Sequence, residues 1–145
     1  NNALGFYHVL GLHELKNNES TLEQLQAFGS SWHSLQDIWV RGKITLDEAL
    51  MAIGKAVNST DLPVAVELDL DAISNMPASA MTIAGVPLMD AAKYVSYIAS
   101  HCQCAYLHLA EAAPSCHSGG EQAGMRDVGQ ALSELIYAYV SGRSS

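Results

Sequence analysis

An α/β fold, with a mainly parallel sheet held between helices in three layers, is what the 145-residue sequence predicts. Short apolar, β-prone runs alternate with segments of helical spacing, the order that feeds parallel strands through crossover helices. The stretch from Asp71 to Cys104 is long enough to carry a helix between two strands, so those strands should run parallel with a right-handed connection. Charged residues make up 15% and hydrophobic residues 49%, a balance suited to buried parallel strands or to a surface that packs against something else. At this length the chain has room for one core and little of a second.

The first strand is expected over Gly5 to Leu12, an apolar run that ends at Gly11. Ser20-Thr21-Leu22-Glu23 reads as a capping box, with Ser20 as N-cap, opening a short helix to about Phe28. The segment from Trp32 to Val40 shows helical spacing at Leu35, Ile38 and Trp39. Thr45-Leu46-Asp47-Glu48 is a second capping box, followed by Leu46, Leu50, Ile53 and Val57 at helical spacing. A strand is expected over Pro63 to Leu70, then a long loop from Ala72 to Val86 rich in glycine, proline, serine and methionine. Loops of that length over a strand end are commonly functional. Pro87 suits the first turn of a helix to about Ser100 that turns Ala91, Val95, Ile98 and Ala99 inward. Ala105 to Ala110 should be the next strand. A last helix, about Arg126 to Ser141, should bury Val128, Leu132, Leu135, Ile136 and Tyr139, with Gly142 stopping it.

The run LPVAVELDLDAI, Leu62 to Ile73, carries the chemistry. Residues two apart on a strand share a face, so Asp69 and Asp71 should leave one face at the end of a buried segment. Two anions so placed repel, and a divalent cation resolves the conflict. The alternative is that Asp71 caps a turn while Asp69 bonds to loop amides. With parallel strands, Asp69, Asp71 and Glu111 come to the same sheet edge, outside the C-terminal strand ends where such folds gather ligands.

ELDLDAI, then a loop with Pro77 and Gly85-Val86-Pro87-Leu88, then a helix and the strand AYLHLAEAAP, resembles the C-terminal part of the arginase, agmatinase and formimidoylglutamase family. The resemblance covers roughly Val64 to Gly142 and makes residues 1–145 the C-terminal portion of one arginase-like α/β domain. It implies that Asp69 and Asp71 are two ligands of a binuclear manganese centre. It also implies that Glu111, in Glu111-Ala112-Ala113-Pro114, faces the amidine or guanidine group of a small cationic substrate. The family's D-x-D-x-x-D-P pattern breaks at Ser74-Asn75, which favours the formimidoylglutamase subgroup, where N-formimidoylglutamate would yield formamide and glutamate. A strand near Asp37 to Val40 and a homo-oligomer are further implications. The family's G-G-x-H and D-A-H-x-D segments are not among these residues, so the remaining ligands are expected upstream of residue 1. The opening Asn-Asn-Ala-Leu, without methionine, reads as a chain that begins inside a domain. The same gaps keep open a metal-free, inactive relative acting as a structural or regulatory subunit.

His13 follows the strand end at Gly11-Leu12 and would face the crevice. The resemblance, which has a G-x-R-like segment there, makes His13 and Glu14 candidates for substrate binding. His8 and His108 alternate into strands as hydrogen-bonded core or interface groups, and His117 lies in a glycine-rich loop beyond Glu111. His33 and His101 show no functional pattern. Trp32 and Trp39 are packing residues. Cys102, Cys104 and Cys116 form no even disulfide framework and suit a reducing, cytoplasmic setting, with C-x-C lacking the second pair of a zinc site. The net charge of −8 argues against nucleic-acid or anionic-membrane partners. The absence of G-x-G-x-x-G and P-loop motifs argues against a nucleotide site, and AYLHLAEAAP lacks the lysine of a receiver-like domain.

Overall fold

The computed structural model describes residues 4–144, so the opening Asn1 to Ala3 lies outside the described residues. The chain divides into two compact units, the first ending at Leu62 and the second beginning at Pro63.

In the first unit, strand β1 (His8–Leu12) pairs in parallel with β2 (Ser31–Ser34), and helix α1 (Glu19–Phe28) connects them. The expected first strand is thus shorter at its start. The N-cap of α1 is Asn18 rather than Ser20: its Oδ1 accepts the Thr21 N–H at 2.8 Å, and Ser20 and Glu23 fall inside the helix. Asparagine caps as well as serine does, and this start places Glu19 in the first turn, where the helix dipole favours an anion. Gly29, at φ 82°, closes the helix in the left-handed conformation that glycine tolerates best.

The segment from Trp32 to Val40 is divided. It holds the end of β2 and then a π-helical turn, Gln36–Val40, so the strand expected near Asp37 to Val40 forms earlier, at Ser31–Ser34. The Ser34 hydroxyl accepts the Asp37 N–H at 3.0 Å, which ends the strand and starts the turn. Leu35 and Ile38 are buried, in keeping with their helical spacing. Helix α2 (Leu46–Asn58) opens on the expected capping box: Thr45 Oγ1 accepts the Glu48 N–H and Glu48 Oε2 accepts the Thr45 N–H. Its inward face carries Ala49, Leu50 and Ile53.

In the second unit, β3 (Val64–Asp69) pairs in parallel with β4 (Cys104–Ala110) through helix α3 (Leu88–His101), as the sequence predicts. Val66 stands opposite Leu107 and Leu68 opposite Leu109, so these four residues share the face that meets the helices. Leu68, Leu107 and Leu109 pack there against a core that includes Leu70, Ile73, Val95 and Leu135. The other face carries Ala65, Glu67 and Asp69 beside Tyr106, His108 and Ala110.

Helix α4 (Glu121–Arg143) begins five residues before the sequence places it and does not stop at Gly142. Gly142 is buried inside the helix, where a Cβ would stand 2.5 Å from the Ser96 carbonyl oxygen of α3. It is therefore a point of close approach between helices. Gly124 serves the opposite end, since a Cβ there would lie 2.1 Å from the Pro114 carbonyl oxygen. Val128 and Leu135 face the core as expected, but Ile136 is 50% exposed: the inward stripe runs Gly124, Val128, Ala131, Leu135, one position to its side.

Candidate functional site

Strand β3 ends at Asp69, and Leu70–Ala72 is a 3₁₀ turn. Strand alternation therefore does not extend to Asp71. The Asp69 carboxylate caps that turn, its Oδ1 accepting the Asp71 N–H at 3.1 Å, which is the loop-amide bond of the second sequence reading. The like-charged pair that does share a strand face is Glu67 and Asp69. Burial and the Asp69 charge push the Glu67 carboxyl above its usual range, and neighbouring His108 pulls it back in part.

Register carries Glu111 to the same place. Asp69 stands opposite Ala110, so Glu111 is the first residue beyond β4 at the edge where β3 ends at Asp69 and Asp71 follows in the 3₁₀ turn. Its backbone is left-handed, at φ 67°. For a glutamate this conformation costs on the order of 1–3 kcal/mol and persists only where the surroundings fix it. Those surroundings are the loop of residues 72–86. Ala78 forms an antiparallel bridge with Ala112, and the Pro77 carbonyl accepts the Ala113 N–H at 2.7 Å. Met76, Pro77 and Ala78 are buried, so this arm of the loop is a packed strap, while residues 79–81, 83 and 84 are exposed. Among the described residues the Glu111 side chain is exposed and has no ion-pair partner.

Asp69, Asp71 and Glu111 are thus gathered at one edge, whereas His13 belongs to the other unit. There it follows β1 and its Nδ1 accepts the Leu15 N–H at 3.2 Å, with Gln36 Nε2 at 3.4 Å. Glu14 is held by Arg41 through both carboxylate oxygens, at 2.6 and 2.7 Å, and by the Ser34 hydroxyl at 2.8 Å. These bonds, Arg41's first, lower the Glu14 pKa to about 2. Asp37 takes Arg41 at 2.7 Å and Lys43 at 2.9 Å and is likewise held below its usual range. In the sequence this network is signalled by the i,i+4 spacing of Asp37 and Arg41, while the bond from Arg41 to Glu14, 27 residues away, has no local signal.

His117 pairs with Asp127 of α4 at 3.1 Å and accepts the Gly119 N–H at 2.8 Å, which ties down its loop. His8 Nδ1 lies 2.7 Å from Ser31 Oγ in the β1–β2 pair, and burial together with His33 lowers its pKa to about 4. Cys104 is buried and its thiol is pushed up by desolvation, as is that of Cys102. Packing, not reactivity, accounts for both.

Two aspartates suit a hard cation. Among the described residues, however, no group of three His, Cys, Asp or Glu side chains is placed to hold a metal ion, so Asp69 and Asp71 form at most part of a ligand set. No helix among the described residues is long and apolar enough to cross a membrane.

At the level of sequence no protein-family profile matches the chain, and neither does any curated protein. Solved structures do match. The formimidoylglutamase of Bacillus subtilis subsp. subtilis str. 168 aligns with a TM-score of 0.77 and 17% identity, over 93% of this chain and 40% of its own. The arginase of Entamoeba histolytica in complex with L-ornithine aligns with a TM-score of 0.70 and 16% identity, over 89% and 42%. The oxidized formiminoglutamase of Trypanosoma cruzi with manganese gives 0.71 and 14%, over 93% and 43%. The chain spans about 40% of the length of these neighbours. Identities this low establish architecture alone: the chain has the arginase-like α/β fold with parallel strands.

Proposed function

We propose that the complete protein is a metal-dependent hydrolase that cleaves a C–N bond in a linear amidine or guanidine, with N-formimidoylglutamate as the substrate and residues 1–145 as the C-terminal portion of its arginase-like domain. The observation that carries this reading is the meeting of Asp69, Asp71 and Glu111 at the C-terminal edge of a parallel strand pair, in a fold whose solved neighbours include formimidoylglutamases and arginases.

Asp69 and Asp71 would hold manganese together with ligands from outside the described residues. The bound ions would supply a water activated at neutral pH. Glu111 binds and orients: an exposed carboxylate on a fixed backbone can accept charge-assisted hydrogen bonds from an amidinium. Ser74, where the family pattern has a third acid, favours the formimidoylglutamase subgroup. A cytoplasmic, homo-oligomeric enzyme that takes a small cationic substrate and has no nucleic-acid or membrane partner completes the reading.

The test is an assay of the complete protein with added manganese against N-formimidoylglutamate, arginine and agmatine. Turnover of N-formimidoylglutamate, and loss of manganese on Asp71→Asn, are the expected results. Turnover of arginine alone overturns the subgroup. Turnover of none of them supports the inactive relative, the reading that Ser74 in place of the family pattern's third acid keeps open.

A further inference from the structure

The side chain at the position of the missing third acid is engaged in a specific task. The Ser74 hydroxyl donates to the Gly85 carbonyl at 2.9 Å and accepts the Gly85 N–H at 3.0 Å, so it ties both polar groups of one peptide residue across the loop. The clamp closes only because residue 85 is glycine: a Cβ would stand 2.4 Å from the Ala72 carbonyl oxygen and 2.8 Å from the Ser74 nitrogen. Around it the two arms of the loop are stitched together. The Val86 carbonyl accepts the Ser74 N–H at 3.0 Å, the Ala72 carbonyl accepts the Val86 N–H at 2.8 Å, and the Thr82 carbonyl accepts the Asn75 N–H at 2.7 Å.

Beyond the clamp the chain turns through Asn75, itself left-handed at φ 59°, into buried Met76, Pro77 and Ala78. Pro77 and Ala78 then grip Ala113 and Ala112, the residues just after Glu111. On its other side Glu111 adjoins Ala110, which is fixed opposite Asp69. A strained residue lies between two anchored neighbours, and one of those anchors hangs from the strap that Ser74 closes.

We propose that Ser74 is a positioning residue: by clamping the loop of residues 72–86 through Gly85, it holds the left-handed backbone of Glu111 and so aims that carboxylate at the ligand edge. The functional half of this statement rests on the amidine-hydrolase reading; the mechanical half does not. An acid at residue 74 could not make the same clamp when ionised, because a carboxylate accepts hydrogen bonds and donates none.

The complete protein as wild type, Ser74→Ala and Ser74→Thr is compared by amide hydrogen exchange. In Ser74→Ala the Ala113 amide should exchange faster by about tenfold, the factor that corresponds to roughly 1.4 kcal/mol, while amides of α3 such as Val95 keep their rates. Ser74→Thr, which keeps the hydroxyl, should restore slow exchange. Unchanged exchange at Ala113, or equal acceleration at Val95, overturns the clamp. The functional half is read by KM for N-formimidoylglutamate with manganese present. Ser74→Ala should raise KM by about tenfold in the wild-type background and leave it unchanged in Glu111→Gln, since the effect travels through Glu111. Additive effects overturn the positioning role. If the wild type turns over no amidine while Ala113 responds as stated, the functional reading fails and the clamp stands.

Discussion

Both units carry acids at or within a few residues of the C-terminal ends of a parallel strand pair, and they treat those acids differently. In the first unit Glu14 and Asp37 are neutralised on the spot by Arg41 and Lys43. In the second, Asp69 caps a turn through one oxygen, and Glu111 stands exposed without an ion pair among the described residues. Acids satisfied by neighbouring cations serve the fold. An acid held on a strained backbone without such a cation is available to a ligand, and backbone strain of this kind concentrates at functional sites. The pairing of Glu14 and Asp37 with cations, against Glu111 without an ion pair among the described residues, more than position at a strand end, therefore separates the two edges.

The largest effect should come from undercutting the scaffold of the second unit. Leu135, fully buried between α4 and the rest of the core, should cost about 2–5 kcal/mol on replacement by alanine. Trp32 and Trp39 both lie in the first unit, so their fluorescence follows that unit, while far-UV circular dichroism also follows α3 and α4. Urea unfolding of Leu135→Ala should show the dichroism midpoint falling further than the fluorescence midpoint. Equal shifts would mean that the units unfold as one and would blur the comparison.

Glu111→Gln comes next and tests the edge itself. Removing the charge while keeping the shape should weaken binding of a cationic amidine to the complete protein by about 1.5–3 kcal/mol, the range for hydrogen bonds to charged groups. Manganese content should stay the same. Binding of undiminished strength would place the substrate elsewhere.

Much of this was legible in the sequence because local rules and tertiary demands agreed. The Thr45–Glu48 capping box, the inward face Ala91, Val95, Ile98, Ala99 and the parallel pairing of the last two strands all follow from period, cap and connection length. What was not legible depended on local backbone choices and on contacts between distant segments. Gly142 looks like a helix stop until the Ser96 carbonyl is placed beside it. Ser20 looks like an N-cap as good as Asn18, and only the backbone chooses. The Asp69–Asp71 spacing reads as a strand face, but the strand yields to a 3₁₀ turn that Asp69 itself caps. Asp37 has a cation four residues on in Arg41, but Glu14 could not be sorted from Asp69 and Glu111 by spacing, since Arg41 lies 27 residues away.

A smaller effect, confined to the first unit, should appear with pH. His8 has a folded pKa of about 4 against 6.5 for the free side chain, through burial and the neighbouring His33. The unfolded chain therefore binds a proton that the folded chain refuses. Stability from this source is complete above about pH 6.5 and is lost as pH falls toward 4. Tryptophan-monitored melts should show the decline across that window, and His8→Leu should flatten it. A decline of the same size in His8→Leu would assign it to other groups.

The smallest change should follow Arg41→Met, although Arg41 carries the largest share of the Glu14 shift. Its side chain is 42% exposed and Glu14 is similarly accessible, so water screens the pair and the net contribution of such bridges is slight. The sign is still fixed. A carboxylate whose folded pKa is depressed to about 2 from 4.5 contributes stability above about pH 4.5 and loses it as pH falls toward 2. Arg41→Met should therefore melt slightly below wild type at pH 7 and converge with it near pH 2. Amidine binding by the complete protein should not change, because Glu14 is spoken for by the fold and its neighbour His13 is engaged by the Leu15 amide. If freeing Glu14 strengthened or weakened that binding, His13 and Glu14 would rejoin the substrate site, and the contrast between the two edges would be one of degree.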